Sequence, residues 1–219
     1  MKKIYSFVMI SLITSSCTLQ VTSLTPETPV PVVTTKSGRI WMDRNLGASQ
    51  VATNLIDQKA YGDLYQWGRK TDGHQLRNSK ISSASLSNYS VSSPDFIISS
   101  ISQGNWLVTN NDNLWQQLND NNVCPTGFRI PTKDEWLLEM SYWNTKDAKG
   151  AFESALKLPI SGARSFADGG IYGVNESGFY WSNTNAGNNL ANDMIIGAGT
   201  AYININPKGD GFAVRCIKN

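Results

Sequence analysis

Pro131-Thr132-Lys133-Asp134-Glu135-Trp136-Leu137-Leu138-Glu139-Met140-Ser141-Tyr142-Trp143 carries the clearest local signal in the chain. Thr132 and Glu135 form a Thr-x-x-Glu capping box, in which hydroxyl and carboxylate each accept from a free amide of the first helical turn. Trp136, Met140 and Trp143 follow at spacings of four and three, one face of a 3.6-residue period. The spacing predicts a helix whose apolar face docks on a sheet. A second short helix is expected over residues 148–158, stopped by Pro159.

Beyond Pro159 the period changes to short strands between Gly and Asn turns, expected at 160–163, 179–182, 194–196, 201–205 and 212–217. Toward the N-terminus, Arg39-Ile40-Trp41-Met42 reads as a strand and residues 43–47 as a turn. Residues 61–68 alternate again and pack three aromatics, as core strands or as tightly packed loops. The Ser-rich run 78–104 has no fixed apolar period and reads as a long surface excursion. Leu114, Trp115 and Leu118 share one helical face behind Asp112 and Asn113 as caps, which predicts a further short helix. Helices in the middle and strands at both ends describe an α+β domain in which the N- and C-terminal strands pair, with Trp41, Trp67, Trp136 and Trp181 in its core.

The chain has 219 residues, enough for one substantial core, and charged residues are 16% of it, so the surface is largely uncharged and polar. Lys2 and Lys3, then an apolar run over residues 4–13, then Thr14, Ser15 and Ser16 before Cys17 follow the grammar of a secretory signal, too short to span a membrane. A Cys directly after small residues resembles the lipobox of bacterial lipoproteins. That resemblance implies a diacylglyceryl, palmitate-bearing Cys17 as the mature N-terminus. An ordinary signal with Cys17 incidental fits the same residues. The expectation is a lipoprotein of the cell envelope, at the outer membrane: signal 1–16, a Thr- and Pro-rich tether 17–37 and one domain 38–219. Without Lys2 and Lys3 the mature chain balances 17 basic residues against 17 acidic ones, a poor electrostatic partner for nucleic acid.

A series of blocks runs through the domain: Gly38-Arg39-Ile40-Trp41-Met42-Asp43-Arg44-Asn45-Leu46-Gly47-Ala48, Tyr61-Gly62-Asp63-Leu64-Tyr65-Gln66-Trp67-Gly68-Arg69, Asp72-Gly73-His74 and Cys124-Pro125-Thr126-Gly127-Phe128-Arg129-Ile130-Pro131-Thr132. Glu135-Trp136, Gly178-Phe179-Tyr180-Trp181-Ser182 and Val214-Arg215-Cys216-Ile217 complete it. In content and order these resemble the Fibrobacter succinogenes major paralogous domain family of bacterial surface and secreted proteins, many of them lipoproteins. The resemblance implies a distant likeness to the formylglycine-generating-enzyme and C-type-lectin-like fold, with short twisted sheets, two main helices and long loops.

Cys124 and Cys216 both lie in these blocks, and export meets oxidising conditions, so a disulfide is expected, with two separate buried thiols as the alternative. Such a bond closes a loop of about 90 residues, which the entropy model values at ~4.5 kcal/mol. A formylglycine-generating oxidase would need reactive cysteines and finds here no third thiol as resolving partner. A Ser-His-Asp hydrolase would depend on His74, which sits in an Asp-Gly turn where exposure is expected. Asp63, Asp134, Glu135 and Glu176 are acids for a glycosidase pair, yet nothing in their spacing joins any two. Gly197-Ala198-Gly199 and Gly209-Asp210-Gly211 lack the rest of a phosphate-binding fingerprint. Asn110-Asn111-Asp112-Asn113 and Asp120-Asn121-Asn122 offer oxygen ligands for calcium but read more simply as turns and caps, so no metal or cofactor is expected.

The function expected from these residues is noncatalytic binding of a carbohydrate, cell-wall component or protein by a lipid-anchored surface domain. An envelope enzyme of the formylglycine-generating type and a structural part of a surface assembly are the alternatives. Aromatics with amide and carboxylate partners, the chemistry that holds sugars, are densest over residues 164–192: Phe166, Asp168, Tyr172, Asn175, Asn183 and Asn185, with Asn188 and Asn189 beside them. The resemblance to the lectin-like fold, whose ligand loops precede the last strands, implies the same region. The Asn residues equally suit turns, and the aromatics equally suit a core.

Overall fold

The computed structural model describes residues 30–99, 104–116 and 121–219. The segment expected to direct export, Cys17, most of the span expected to be tether, Leu118 and Asp120 lie outside the described residues. Among the described residues no helix is long and apolar enough to cross a membrane.

Helix α1 (Lys133–Ser141) starts as its sequence predicts. Thr132 Oγ1 accepts from the Glu135 amide at 3.1 Å, and Glu135 Oε2 accepts from the Thr132 amide at 2.9 Å. Arg129 grips the same carboxylate with both guanidinium arms at 2.6 and 2.7 Å, so Glu135 is fully committed to this corner. Trp136, Met140 and Trp143 all turn inward. Helix α2 (Ala148–Glu153) is capped by Asp147, which accepts from the Gly150 amide at 2.8 Å. It ends five residues before the expected Leu158. Ser154 leaves the helix at ψ 169° with its hydroxyl accepting from the Leu156 amide, and Lys157 takes φ 49°, so Leu156 and Leu158 reach the core from an irregular segment.

Two main sheets follow. The first has the order β1 (Val32–Thr34), β2 (Ile40–Met42), β13 (Ile217–Lys218), β6 (Phe128–Arg129), all antiparallel, so strands from the two ends of the domain pair as expected, with Ile217 opposite Trp41. The domain thus begins before Gly38: β1 falls inside the span expected to be tether, and buried Thr35 donates to Glu139 Oε2 at 2.8 Å. The Cys124–Cys216 disulfide, with Cα atoms 5.9 Å apart, locks the segments leading into β6 and β13.

The second sheet has the order β11 (Thr200–Pro207), β10 (Leu190–Gly197), β9 (Gly178–Gly187), β7 (Ser161–Arg164), β12 (Gly211–Phe212), β3 (Tyr65–Gln66), with β8 (Ile171–Val174) also on β7. Side chains alternate across β9: Tyr180 enters a core with Trp41, Trp136, Met140 and Met194, while Trp181 enters the other with Trp67, Trp106, Trp115 and Phe212. Several indole N–H groups find carbonyls: Trp67 donates to Ser182, Trp136 to Trp181 and Trp181 to Tyr65, at 2.8, 3.1 and 2.7 Å. The four tryptophans assigned to the core are fully buried.

Three further expectations change. Residues 212–217 do not form one strand; β12 and β13 belong to different sheets, and between them buried Arg215 donates to Asn45 Oδ1 and to the Leu156 carbonyl. Residues 112–116 are turns rather than a helix, although Leu114 and Trp115 are buried. The Ser-rich run is not wholly surface: β4 (Ile81–Ser82) and β5 (Phe96–Ile97) pair in parallel, and Phe96 and Ile97 are buried, with the Arg164 guanidinium 4.2 Å from the Phe96 ring.

Candidate functional site

The six ligand-binding residues expected from sequence do not form one site. Phe166, Asp168 and Tyr172 line an open groove of about 460 Å³ between the loop 165–170 and the end of β11. The loop is shaped locally: Asp168 Oδ1 accepts from the Gly170 amide at 2.9 Å, which holds its carboxyl below the usual carboxylate range, and the Ser165 amide donates to the Gly170 carbonyl. Tyr172, opposite Ala163 on β8, is 41% exposed and packs edge-on to Phe179 with centroids 5.6 Å apart. The ring is therefore held against Phe179 and remains partly open to solvent.

Asn175, Asn183 and Asn185 lie elsewhere. Asn175 takes φ 66° in the turn after β8 and accepts the Tyr61 hydroxyl through Oδ1. Asn183 is nearly buried, and its amide donates to the Pro131 carbonyl beside α1. Asn185 Oδ1 accepts from the Gly187 amide, and its side chain bonds to Asp112. Asn188 and Asn189, at φ 48° and 66°, form the two-residue β9–β10 hairpin loop, the left-handed pair that a type I′ turn requires.

The groove contains groups the sequence did not single out. Asp210, on the groove lining, accepts from the Phe166 amide at 3.0 Å. Asn206, on the groove wall, donates to Asp193 Oδ1 at 3.1 Å, and Asp193 Oδ2 is buried without a partner. Burial pushes both carboxyl groups up to about 7, and the negative charge of Asp210 adds to the shift of Asp193. Burial, then these two acids, raises the Tyr172 hydroxyl as well. Sequence offered one signal for each: Asp210 interrupts Gly209-Asp210-Gly211, and Asp193 is a lone charge ahead of Met194-Ile195-Ile196.

His74 is not exposed but fully buried. Its Nδ1–H donates to Asp72 Oδ1 at 2.6 Å and its Nε2 accepts from the Gln66 amide at 3.1 Å, so both ring nitrogens are occupied. Burial lowers its pKa to about 4, leaving a neutral ring with no lone pair free to serve as a general base. Among the described residues no three His, Cys, Asp or Glu side chains gather as a metal set. The oxygens of Asn110 and Asp112, weighed as calcium ligands, face the Lys208 ammonium instead.

Residues 137–217 match the family model of a domain of unknown function, DUF8237, a stretch that begins inside α1 and takes in β7 to β12 and the start of β13. No curated protein and no solved structure matches the chain.

Proposed function

We propose that this chain is a noncatalytic, lipid-anchored surface domain of the Fibrobacter succinogenes major paralogous type, with a C-type-lectin-like fold, and that it binds a carbohydrate in the groove beside Tyr172. The observation that carries the reading is the groove itself: a half-exposed aromatic ring, held against Phe179, beside the carboxylates Asp168 and Asp210 and the amide of Asn206. An aromatic face with fixed acceptors matches the apolar face and hydroxyl rim of a sugar. The paired terminal strands, the two short helices and the loop-borne groove support the lectin-like fold. Against an oxidase of the formylglycine-generating type, Cys216 is fully buried in the disulfide and Cys124 is 8% exposed, which leaves no accessible thiolate among the described residues.

The test is a screen of the full chain against glycans and envelope polymers, followed by titration of the best binder. Tyr172→Ala is expected to weaken binding by roughly 1–3 kcal/mol, the cost of truncating a central contact, with an unchanged melting temperature. The pair Asn183→Ala, Asn185→Ala, outside the groove, should bind as the wild type does. The reverse pattern would move the site to the hairpin end of the sheet.

A further inference from the structure

Beside the β9–β10 hairpin loop lies a cluster that the binding reading leaves unused. Lys208, just after β11, has a side chain 2% exposed, with its Nζ 4.6 Å from the centre of the Trp67 ring. Its backbone is pinned by neighbours: the Lys208 amide donates to the Asn189 carbonyl, and the Gly209 amide donates to the Gly104 carbonyl at 2.7 Å. A Cβ on Gly209 would stand 2.6 Å from that carbonyl, so the approach requires glycine.

Lys208 Nζ donates to Asp112 Oδ1 at 2.6 Å and to Asn110 Oδ1 at 2.9 Å. Asn110 Nδ2 donates to the same Asp112 Oδ1 at 2.7 Å. One carboxylate oxygen therefore bridges the lysine nitrogen and the amide nitrogen of the asparagine. Buried Asn105 also donates from Nδ2 to Asn110 Oδ1, at 3.3 Å. A simple ion pair would need Lys208 and Asp112 alone. Here an amine, an amide carbonyl, a proton carrier on both nitrogens and a second donor on the carbonyl oxygen converge, which is the constellation for acyl transfer from an amide to an amine.

We propose that Lys208 and Asn110 join in an intramolecular isopeptide bond, with Asp112 carrying the protons and Asn105 steadying the oxyanion. Asp112 takes a proton from the ammonium, and the freed amine attacks Asn110 Cγ. The new C–N bond forms, the tetrahedral centre collapses and the bond from Cγ to Nδ2 breaks. Two of the three ammonium protons pass by way of Asp112 to the departing nitrogen, which leaves as ammonium, and the third stays on the new amide. Asp112 ends ionised, as it began, and no oxidant or cofactor takes part. Burial lowers the pKa of Lys208, which favours the amine against the opposing pull of Asp112, and the Lys208 contact holds the Asp112 carboxyl low, so the step starts from the carboxylate it requires. The Asp112 side chain is 42% exposed and lines a surface hollow with Asn110, an exit for ammonium. The bond would tie together segments 98 residues apart.

The test is mass spectrometry of the purified full chain, reduced and digested with trypsin. The expected product is a branched peptide holding Asn110 and Lys208, lighter than its two parts by one ammonia, with no cleavage after Lys208. Lys208→Arg, which keeps the cation but lacks the amine, and Asp112→Ala, at a half-exposed site, should both yield separate linear peptides from protein with wild-type circular dichroism. Linear peptides and ordinary cleavage after Lys208 in folded wild-type protein, even after prolonged incubation at neutral pH, would overturn the bond. An undiminished yield of branched peptide from Asp112→Ala would overturn the role of the carboxylate.

Discussion

Asp193 and Asp210 place two carboxyl groups in the sheet wall with the Asn206 amide and the Phe166 backbone as their donors and Tyr172 as a shared neighbour. Both are held up at about 7, so in the folded chain they keep protons that the unfolded chain gives up near its ordinary carboxylate pKa of 3.8. Their stabilising share is complete below that value and is lost as pH rises through about 7. His74 works the other way: with a folded pKa of about 4 against 6.5, its share is present above 6.5 and lost as pH falls toward 4. The double variant Asp193→Asn, Asp210→Asn should therefore be markedly more stable than the wild type at about pH 8 and almost unchanged at about pH 4. Melting temperatures across that range check this, and a gain independent of pH would show that both acids are ionised throughout. Sequence marked Asp193 only as a lone charge ahead of an apolar run, and an acid on a strand reads as solvent-facing. Its burial is set by register, which places it opposite Trp181 on the face that the second core covers.

Local chemistry decided which elements were legible. The start of α1 could be read because Thr132 and Glu135 satisfy each other within four residues, and Trp136 points inward because its period requires it. The break between β12 and β13 could not be read, because it is set by partners far along the chain. Arg215 leaves the strand conformation to reach Asn45 and Leu156, a demand no window of neighbouring residues contains. Of the groove, the loop and Tyr172 were legible as exposed polar and aromatic chemistry, whereas Asn206 and Asp210 join it only because the chain leaves β11 for β12, the strand beside β7. Trp136 stacks on Trp41 with centroids 4.8 Å apart and also meets Tyr180, so it links α1 to both sheets. Trp136→Ala should cost about 3–5 kcal/mol, comparable to the margin of an ordinary domain. Denaturant unfolding measures this, and a midpoint close to wild type would mean that α1 is not carried by its tryptophan.

At the scale of the molecule, the first sheet pairs β1 and β2 with β13, the disulfide lies wholly within the described domain, and the residues just before β1 join them: Val30 packs against the core and the Pro31 carbonyl accepts from the Asp43 amide. Between Cys17 and Val32 stand too few residues to reach farther than roughly 50 Å even when fully extended. A domain lipidated at Cys17 would therefore work close to the bilayer, its groove offered to polymers of the envelope itself. Several acyl chains together bind a membrane far more firmly than one, so removal of the acceptor thiol should act as an all-or-none change in partitioning. Cys17→Ala should move the full chain from the detergent phase to the aqueous phase while leaving the melting temperature and the Cys124–Cys216 bond as they are. Detergent partitioning together with a thermal melt reads both quantities, and a variant that stays in the detergent phase would show that the anchor is not a lipid on Cys17.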